Sequence, residues 1–197
     1  MYEVELKIRA DHGRVRERLA ELGADDQGGV RQVDTYYDAP HRDFGETDEA
    51  LRLRRETAVD TAVADTETDG TDDERATTLT YKGPLVEAES KTRREHETVV
   101  LDDDEAEAIL SELGFTPAAT VEKHRRFFAY DGYTVTLDRV DGLGEFVEVE
   151  TEAEAVEAAR DGAVEVMATL GLDPDEQLRT SYLGMLLDDA DPSDASE

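Results

Sequence analysis

Apolar and charged residues alternate along residues 2–9, where the even-numbered positions from Val4 to Ile8 are apolar. Glu3, Glu5 and Lys7 fall on the opposite face, because successive side chains of a β-strand point to opposite sides. The usual interpretation of one such strand is a charged face in water above an apolar core. The same alternation, or a run of strand-forming aromatic residues, predicts strands at Tyr2–Arg9, Gln32–Asp38, Ala50–Arg55, Thr77–Lys82, Lys91–Leu101, Val121–Tyr130, Tyr133–Val140 and Glu145–Thr151.

Four other segments have the periodicity of amphipathic helices, with apolar residues repeating every three or four positions. Start and stop signals such as an Asp cap, a following glycine, or Asp173-Pro174 at a first turn define their bounds. A break is expected at Gly162. The helices are predicted at Asp11–Leu22, Glu105–Leu113, Ala153–Leu170 and from Pro174 to Leu187.

The length of 197 residues suits one domain, predicted over residues 1–187. Residues 56–76 are rich in Thr, Asp, Glu and Gly, so this stretch is predicted to be an acidic insertion loop between strands. Residues 188–197 are expected to form an acidic, disordered tail.

The chain is strongly acidic, with 51 acidic and 21 basic residues and a net charge of −30. Such a surface repels nucleic acid and anionic membranes, so neither is an expected partner. High acidity with few lysines is typical of adaptation to concentrated salt, where screening weakens self-repulsion. The absence of cysteine excludes disulfides and thiolate metal sites. No membrane-length apolar run or signal peptide is evident, and a cytoplasmic location is predicted.

Several predicted strands share an apolar face and a second face that carries charges of both signs. A sheet that closes on itself, with the helices outside, would place the charged faces in its interior. For any single strand, the simpler explanation is a charged face exposed to solvent. That explanation does not account for the same pattern on many strands. The interior acids would be Glu3, Glu5, Glu95, Glu97, Asp138, Glu148 and Glu150, and the interior bases Lys7, Arg52, Arg54, Lys82, Lys123 and Arg125.

A charged interior needs a ligand or internal pairing, because desolvated charges are costly when they stand alone. A polyanion with a divalent metal suits this mixture. Arg and Lys bind phosphate oxygens, and carboxylates bind Mg²⁺ or Mn²⁺. Three of the four lysines belong to this set, in a chain that otherwise uses arginine. The four histidines are scattered without ligand spacing and are interpreted as structural.

The ordered motifs of the chain resemble those of the CYTH superfamily, the triphosphate tunnel enzymes, and within it the class IV adenylyl cyclases. The matching segments are Glu3-x-Glu5-x-Lys7, Asp34–Asp38, Thr47–Arg54, Thr80–Pro84, Lys91–Glu97, Leu113–Phe115, Gly142–Glu150 and Ser181–Tyr182. They extend over residues 2–187 in the order of the family.

This resemblance implies an α+β fold, an antiparallel eight-stranded closed β-barrel wrapped by amphipathic helices, that frequently forms a homodimer. It also implies that Mg²⁺ or Mn²⁺ is bound by Glu3, Glu5, Glu97, Glu148 and Glu150. The triphosphate-binding residues carried over are Lys7, Arg52, Arg54, Lys82, Lys123 and Arg125. The catalytic residues carried over are Lys7, Arg125 and Asp138, the last as a metal contact or a base.

Three functions are compatible with this chemistry. The first is cyclisation of ATP to cAMP and pyrophosphate. The second is hydrolysis of inorganic, thiamine or nucleoside triphosphate by a tunnel triphosphatase, which would use nearly the same residues. The third is metal-dependent binding of a polyphosphate or nucleotide without turnover.

Overall fold

The computed structural model describes residues 2–59, 75–84 and 93–190, and its main element is one antiparallel sheet. Its eight strands are β1 Tyr2–Arg9, β2 Asp25–Asp38, β3 Ala50–Val59, β4 Arg75–Lys82, β5 Glu95–Val100, β6 Thr116–Tyr130, β7 Tyr133–Val140 and β8 Gly144–Ala153. Their order across the sheet is β1-β8-β7-β6-β2-β3-β4-β5. The predicted eight-stranded antiparallel architecture is confirmed.

Within the described residues, five helices and one 3₁₀ turn accompany the sheet. The helices are α1 His12–Leu22, α2 Phe44–Thr47, α3 Asp103–Glu112, α4 Val156–Thr169 and α5 Tyr182–Ala190. Asp11 caps α1 by accepting a hydrogen bond from the Arg14 backbone N–H, and Gly23 ends the helix in the left-handed conformation with φ 69°. Within the part of the chain that the structure describes, no helix is both long and apolar enough to cross a membrane.

The helix predicted from Pro174 to Leu187 is wrong over its first half. Pro174–Glu176 forms only a 3₁₀ turn, capped by the side chain of Asp173, and the chain is then extended at Gln177. The backbone N–H of Leu178 donates to the carbonyl of Lys7 at 2.7 Å, which ties this segment to β1. The tertiary hydrogen bond therefore replaces the helical one, and α5 begins only at Tyr182.

The sheet curls strongly, but it does not close into a complete barrel. Strands β1 and β5 are its two edges, and no ladder of hydrogen bonds joins them among the described residues. One isolated antiparallel bridge between Glu3 and Arg93 connects the two margins. The predicted closed barrel is thus corrected to a half-closed barrel, with a seam between β1 and the segment that leads into β5.

The convex face of the sheet holds the largest apolar core. Leu6 and Val149 from β1 and β8 pack against Val15 and Leu19 of α1 and against Met167 of α4. All five side chains are at most 2% exposed. Burying one large aliphatic side chain stabilises the folded protein by about 1.5–3 kcal/mol. This burial holds α1 and α4 against the sheet, and the face that they cover is the outside of the curled sheet. The apolar faces of the strands therefore lie under helices, as predicted.

The concave face is charged only in part. Val121, Val140 and Phe146 follow the inward phase of β6, β7 and β8, yet they form an apolar cluster with Tyr182 of α5. Phe146 and Tyr182 make an edge-to-face contact with ring centroids 5.0 Å apart. An apolar end wall, which the alternation alone did not predict, therefore limits the charged interior.

Helix α4 is continuous through Gly162, where the sequence predicted a break. A Cβ at this position would lie 2.1 Å from the Tyr133 hydroxyl oxygen, which donates to the Ala159 carbonyl at 3.0 Å. The glycine is explained by this close approach of β7 and not by a bend of the helix.

The variant Gly162→Ala should therefore destabilise the protein by about 1–3 kcal/mol through overpacking. Helix propensity alone predicts the opposite sign, since alanine is favoured over glycine by about 1 kcal/mol inside a helix. Urea unfolding of this variant, alone and combined with Tyr133→Leu, separates the two effects. The second change should recover part of the loss. A stabilised single variant would contradict the packing argument.

The predicted insertion at residues 56–76 lies largely outside the described residues. Strand β3 extends to Val59 and β4 begins at Arg75, so both strands run past the predicted bounds. Likewise α5 extends to Ala190, beyond the start of the predicted tail at residue 188, and the remaining tail residues lie outside the described part.

Candidate active site

A cavity of about 790 Å³ opens on the concave face of the sheet. Most of the charged residues predicted to face inward lie in its wall. These are Glu3, Glu5, Lys7, Arg52, Arg54, Lys82, Lys123, Arg125, Glu148 and Glu150. Asp138, Glu95 and Glu97 are not part of this wall. Asp138 is fully buried behind it, and the side chain of Glu97 is 52% exposed.

Strand register places these charges opposite one another. Lys7 of β1 faces Glu148 of β8, and Arg125 of β6 faces Asp138 of β7. Directly opposed unlike charges stabilise a pair of strands, whereas like charges destabilise it. Two pairs between β1 and β8 are exceptions, because Glu5 faces Glu150 and Glu3 faces Glu152.

Glu3, Glu5 and Glu150 form a cluster in which one carboxylate oxygen of each lies within 4.8 Å of the others. Burial raises the pKa of Glu150 to about 7, and Glu148 and Glu3 add to the rise while Arg125 opposes it. Three converging carboxylates at this spacing match the oxygen ligands that Mg²⁺ and Mn²⁺ prefer. We call Glu3, Glu5 and Glu150 the acid cluster, and its donor set fits a divalent cation.

The other two predicted metal ligands have different surroundings. Glu148 is 2% exposed and is paired with Lys7 at 3.1 Å and with Arg125. Glu97 accepts a hydrogen bond from Thr80 at 2.7 Å and lies 3.9 Å from an Arg52 nitrogen. The structure therefore brings three of the five predicted carboxylates together, and it places Glu148 among the bases.

Arg125 is the centre of a buried ion-pair network. Its guanidinium donates to both oxygens of Asp138 and to Glu148, and it lies 4.0 Å from Glu150. Asp138 is 0% exposed and also accepts from Lys123 at 3.2 Å. Burial would raise the pKa of Asp138, but Arg125 and Lys123 hold it below its usual value. Asp138 is thus an ionised group that orients two cations.

Lys7 and Lys123 differ in how their charges are compensated. Lys7 has two carboxylate partners, Glu5 at 3.0 Å and Glu148 at 3.1 Å. Although burial opposes it, these partners raise the pKa of Lys7 above its usual value. Lys123 shares Asp138 with Arg125, and burial together with Arg125 lowers its pKa to about 8. Lys123 is therefore the base whose charge is least supported by the protein.

Arg52 and Arg54 are positioned by Asp34, a residue whose role the sequence did not reveal. Asp34 is 1% exposed and accepts two hydrogen bonds from Arg54, at 2.6 and 2.7 Å. Arg52 lies 3.6 Å from the same carboxylate and donates to Thr80 at 3.3 Å. The Arg52 Nε atom is buried without a hydrogen-bond partner, so this guanidinium retains a donor for a ligand.

Lys82 spans the seam of the barrel. Its ammonium group contacts Glu3 of β1 at 3.1 Å and Glu95 of β5. Burial would raise the pKa of Glu3, but Lys82 holds it low. Burial and the neighbouring Glu3 raise the pKa of Glu95, although Lys82 opposes the rise. Lys82 and Glu95 therefore connect the acid cluster to the opposite margin of the sheet.

Two contributors to the site had weak signals in the sequence. Asp34 has the inward phase of β2, with Gln32 and Tyr36, but it was not among the charged residues predicted to face the interior. Tyr182 was not among the predicted site residues either, although its ring lies 4.3 Å from Lys7 Nζ and 5.1 Å from Lys123 Nζ. Only the folded chain shows these contacts, since Tyr182 is distant in sequence from both lysines.

The model of the CYTH domain family matches residues 1–182 of this chain. The chain belongs to the CYTH family. CYTH proteins act on triphosphates and are generally dependent on divalent metal, which agrees with the bases and the acid cluster of the cavity.

Individual CYTH-like proteins extend this agreement to sequence and fold. The “Putative adenylate cyclase MJ0240” of Methanocaldococcus jannaschii is 32% identical over 187 residues, which cover 93% of this chain and 97% of that protein. The PH1819 structure from Pyrococcus horikoshii is 34% identical, with a TM-score of 0.82 over 95% of this chain and 99% of that one. The Hippeastrum protein HpAC1, whose structure is reported to reveal a dominant triphosphatase activity, has a TM-score of 0.64 at 15% identity over 95% of both chains.

Proposed function

We propose that the protein converts ATP to cAMP and pyrophosphate in a reaction that depends on Mg²⁺ or Mn²⁺. The observation that supports this most strongly is the combination, in one cavity, of the acid cluster with all six of the predicted triphosphate-binding bases. The cavity volume of about 790 Å³ is in the range that accommodates a whole nucleotide. The name of the Methanocaldococcus jannaschii relative supports the same choice of reaction.

In this proposal Glu3, Glu5 and Glu150 of the acid cluster would hold the metal, and a bound metal would supply polarisation of phosphate oxygens and a lowered hydroxyl pKa. Lys7, Lys123 and Arg125 bind the triphosphate and neutralise the charge that moves to the leaving pyrophosphate. Arg52 and Arg54 bind further phosphate oxygens with the planar geometry of guanidinium groups.

The reaction forms one bond and breaks one. The ribose 3′-oxygen attacks the α-phosphorus, the bond from that phosphorus to the β-phosphate bridging oxygen breaks, and pyrophosphate leaves. The hydroxyl proton passes to a carboxylate of the acid cluster and then to solvent. Asp138 is not the proposed base, because its two oxygens are held by Arg125 and Lys123. It acts by orienting those cations.

The second candidate is a triphosphatase, in which water attacks the terminal phosphorus. The report of a dominant triphosphatase activity for HpAC1 favours it, since that protein shares this fold. The same bases and acid cluster would serve, and only the position of the substrate along the cavity would differ.

Product analysis decides between the two reactions. The purified protein is incubated with ATP and Mn²⁺, and the nucleotides and phosphates are separated. Cyclisation yields cAMP and pyrophosphate in equal amounts, while hydrolysis yields ADP and phosphate. Inorganic triphosphate is assayed in parallel. If neither substrate is consumed and both bind, the protein is a binding module and the proposed function fails.

Homodimerisation and a cytoplasmic location stay predictions from the sequence.

Affinity for a triphosphate should fall as the pH rises through the pKa of Lys123, about 8. The anion binds the protonated ammonium, so deprotonation of Lys123 above that pH removes an attractive charge. Titration with ATP without metal, between about pH 7.5 and 9.5, should show this loss. In Lys123→Arg the slope should become shallower, because arginine stays protonated throughout this range. Ionisation of Glu95, whose pKa burial raises to about 8, should account for the remainder.

Lys7→Arg is the matched control for this pH dependence. Glu5 and Glu148 raise the pKa of Lys7, so its replacement should leave the slope above pH 8 unchanged. An equal slope in the wild type and in Lys123→Arg would show that another group causes the dependence.

A further inference from the structure

We propose that Tyr182 is part of the triphosphate-binding machinery. Its ring positions the ammonium groups of Lys7 and Lys123, and its hydroxyl is a donor kept for an oxygen of the bound triphosphate. This inference rests on the proposed function for its ligand, whereas its claim about the two lysines can be tested without any turnover.

The ring of Tyr182 is the surface that the two ammonium groups share. Lys7 Nζ lies 4.3 Å and Lys123 Nζ 5.1 Å from the ring centroid. Both distances are within the range of about 6 Å in which a cation is attracted to the face of an aromatic ring. A common aromatic neighbour therefore holds both cations at one wall of the cavity, where a single polyanion can contact them together.

Among the residues that the structure describes, none is a hydrogen-bond partner of the Tyr182 hydroxyl, although the atom is buried. Tyr182 is 6% exposed and its side chain is part of the cavity wall. A buried hydroxyl without a partner reduces stability, and such groups are rare in folded proteins. Burial raises the pKa of Tyr182 well above its usual value, and Glu148 and Asp138 add to the rise. The hydroxyl is therefore a neutral donor whose missing partner is an acceptor supplied by the ligand.

The position of Tyr182 is fixed from both sides along the chain. Before it, Leu178 donates its backbone N–H to the Lys7 carbonyl at 2.7 Å. After it, the backbone N–H of Gly184 donates to the Ser181 hydroxyl at 3.0 Å, which caps the first turn of α5. A Cβ on Gly184 would lie 2.9 Å from the Thr180 methyl group, so this turn is tightly packed. Phe146 supports the ring through the edge-to-face contact described above. These constraints make Tyr182 a rigid support for the lysines.

Lysine-selective NMR tests the positioning claim directly, because the chain contains only four lysines. The Cε signals of Lys7 and Lys123 are assigned through the two arginine variants and then compared with those of Tyr182→Leu. Loss of the ring should move both signals, raise their mobility and change the titration of Lys123, while the Lys82 signal stays in place. Unchanged Lys7 and Lys123 signals would overturn the proposal, whatever reaction the protein catalyses.

Binding of inorganic triphosphate tests the hydroxyl. Tyr182→Phe keeps the ring, so its lysine signals should match those of the wild type, but triphosphate affinity should fall about tenfold with the loss of one hydrogen bond to a charged group. The same variant should have a higher melting temperature without ligand, because a buried unpaired hydroxyl is removed. Full affinity in Tyr182→Phe would overturn the role of the hydroxyl.

Tyr133→Phe is the matched control. Its hydroxyl does have a partner, the Ala159 carbonyl, and it lies outside the cavity. This variant should lose stability and keep wild-type triphosphate affinity, which is the reverse of Tyr182→Phe. If the wild-type protein binds no triphosphate, the proposed function fails, and the NMR comparison still decides whether Tyr182 positions the lysines.

Discussion

Glu5→Gln is expected to abolish metal-dependent turnover of ATP, with a loss on the order of 10³-fold in kcat/KM, because a metal contributes several kcal/mol of charge stabilisation. Glu5 is one of three carboxylates in the acid cluster, and the amide cannot supply an anionic ligand. The measurements are steady-state kinetics with Mn²⁺ and the binding of Mn²⁺ alone, followed by its electron paramagnetic resonance signal.

The same substitution should cost little stability. Glu5 faces Glu150 across the strand pair, so the amide removes a repulsion of like charges, while Lys7 keeps Glu148 as its partner. The melting temperature without metal should therefore be unchanged or higher. Glu17→Gln is the control, because Glu17 is exposed on α1 and its substitution changes the net charge by the same amount. A fully active Glu5→Gln variant with normal Mn²⁺ binding would show that the acid cluster does not hold the metal.

Arg125→Leu is expected to destabilise the fold by about 3–5 kcal/mol, the cost of leaving a buried charge without its partner. Asp138 is fully buried and would keep only Lys123, the base with the lowered pKa. The loss is large beside the total stability of about 5–15 kcal/mol that is usual for a domain. Urea unfolding at constant salt measures it without changing the ionic strength, which guanidinium would do.

A double variant separates the contribution of the ion pair to stability from the contribution of side-chain packing. Arg125→Leu combined with Asp138→Leu removes both charges and should recover at least part of the lost stability, because a buried pair is often replaceable by apolar residues. Arg139→Leu is the control on β7, where Arg139 pairs with Glu145 at the exposed surface. It should change stability by less than about 1 kcal/mol. Equal effects of Arg125→Leu and Arg139→Leu would contradict the network as described.

Local alternation was sufficient to predict the inward and outward faces of most strands. Glu3, Glu5 and Lys7 looked like a surface face by themselves, and only their combination with Lys82 and Arg125 on other strands indicated a lining. Side chains along a strand alternate between the two faces of the sheet, so the face of one residue determines the face of every other residue in that strand. The confirmed fold and the shared cavity follow from this simple rule.

Features that depend on tertiary contacts were not predictable in this way. The segment before α5 had good helix signals, but a hydrogen bond from Leu178 to β1 decided its conformation. Asp34 meets Arg54 through the register of β2 with β3, which the sequence does not specify, and Tyr182 meets the two lysines only through docking of α5. Closure of the barrel was expected from the charged strand faces as well as from the resemblance. Among the described residues, however, the strand order ends at β1 and β5 with one bridge between the two margins.

The net charge of −30 surrounds a cavity whose wall holds both bases and carboxylates. A triphosphate that diffuses toward the exterior meets repulsion, and the bases of the cavity attract it only at short range. Added salt shortens the range of the outer field to a few ångströms but screens the buried groups much less. Salt should therefore accelerate the arrival of substrate, whereas enzymes that guide anions with exposed positive charge are slowed by it.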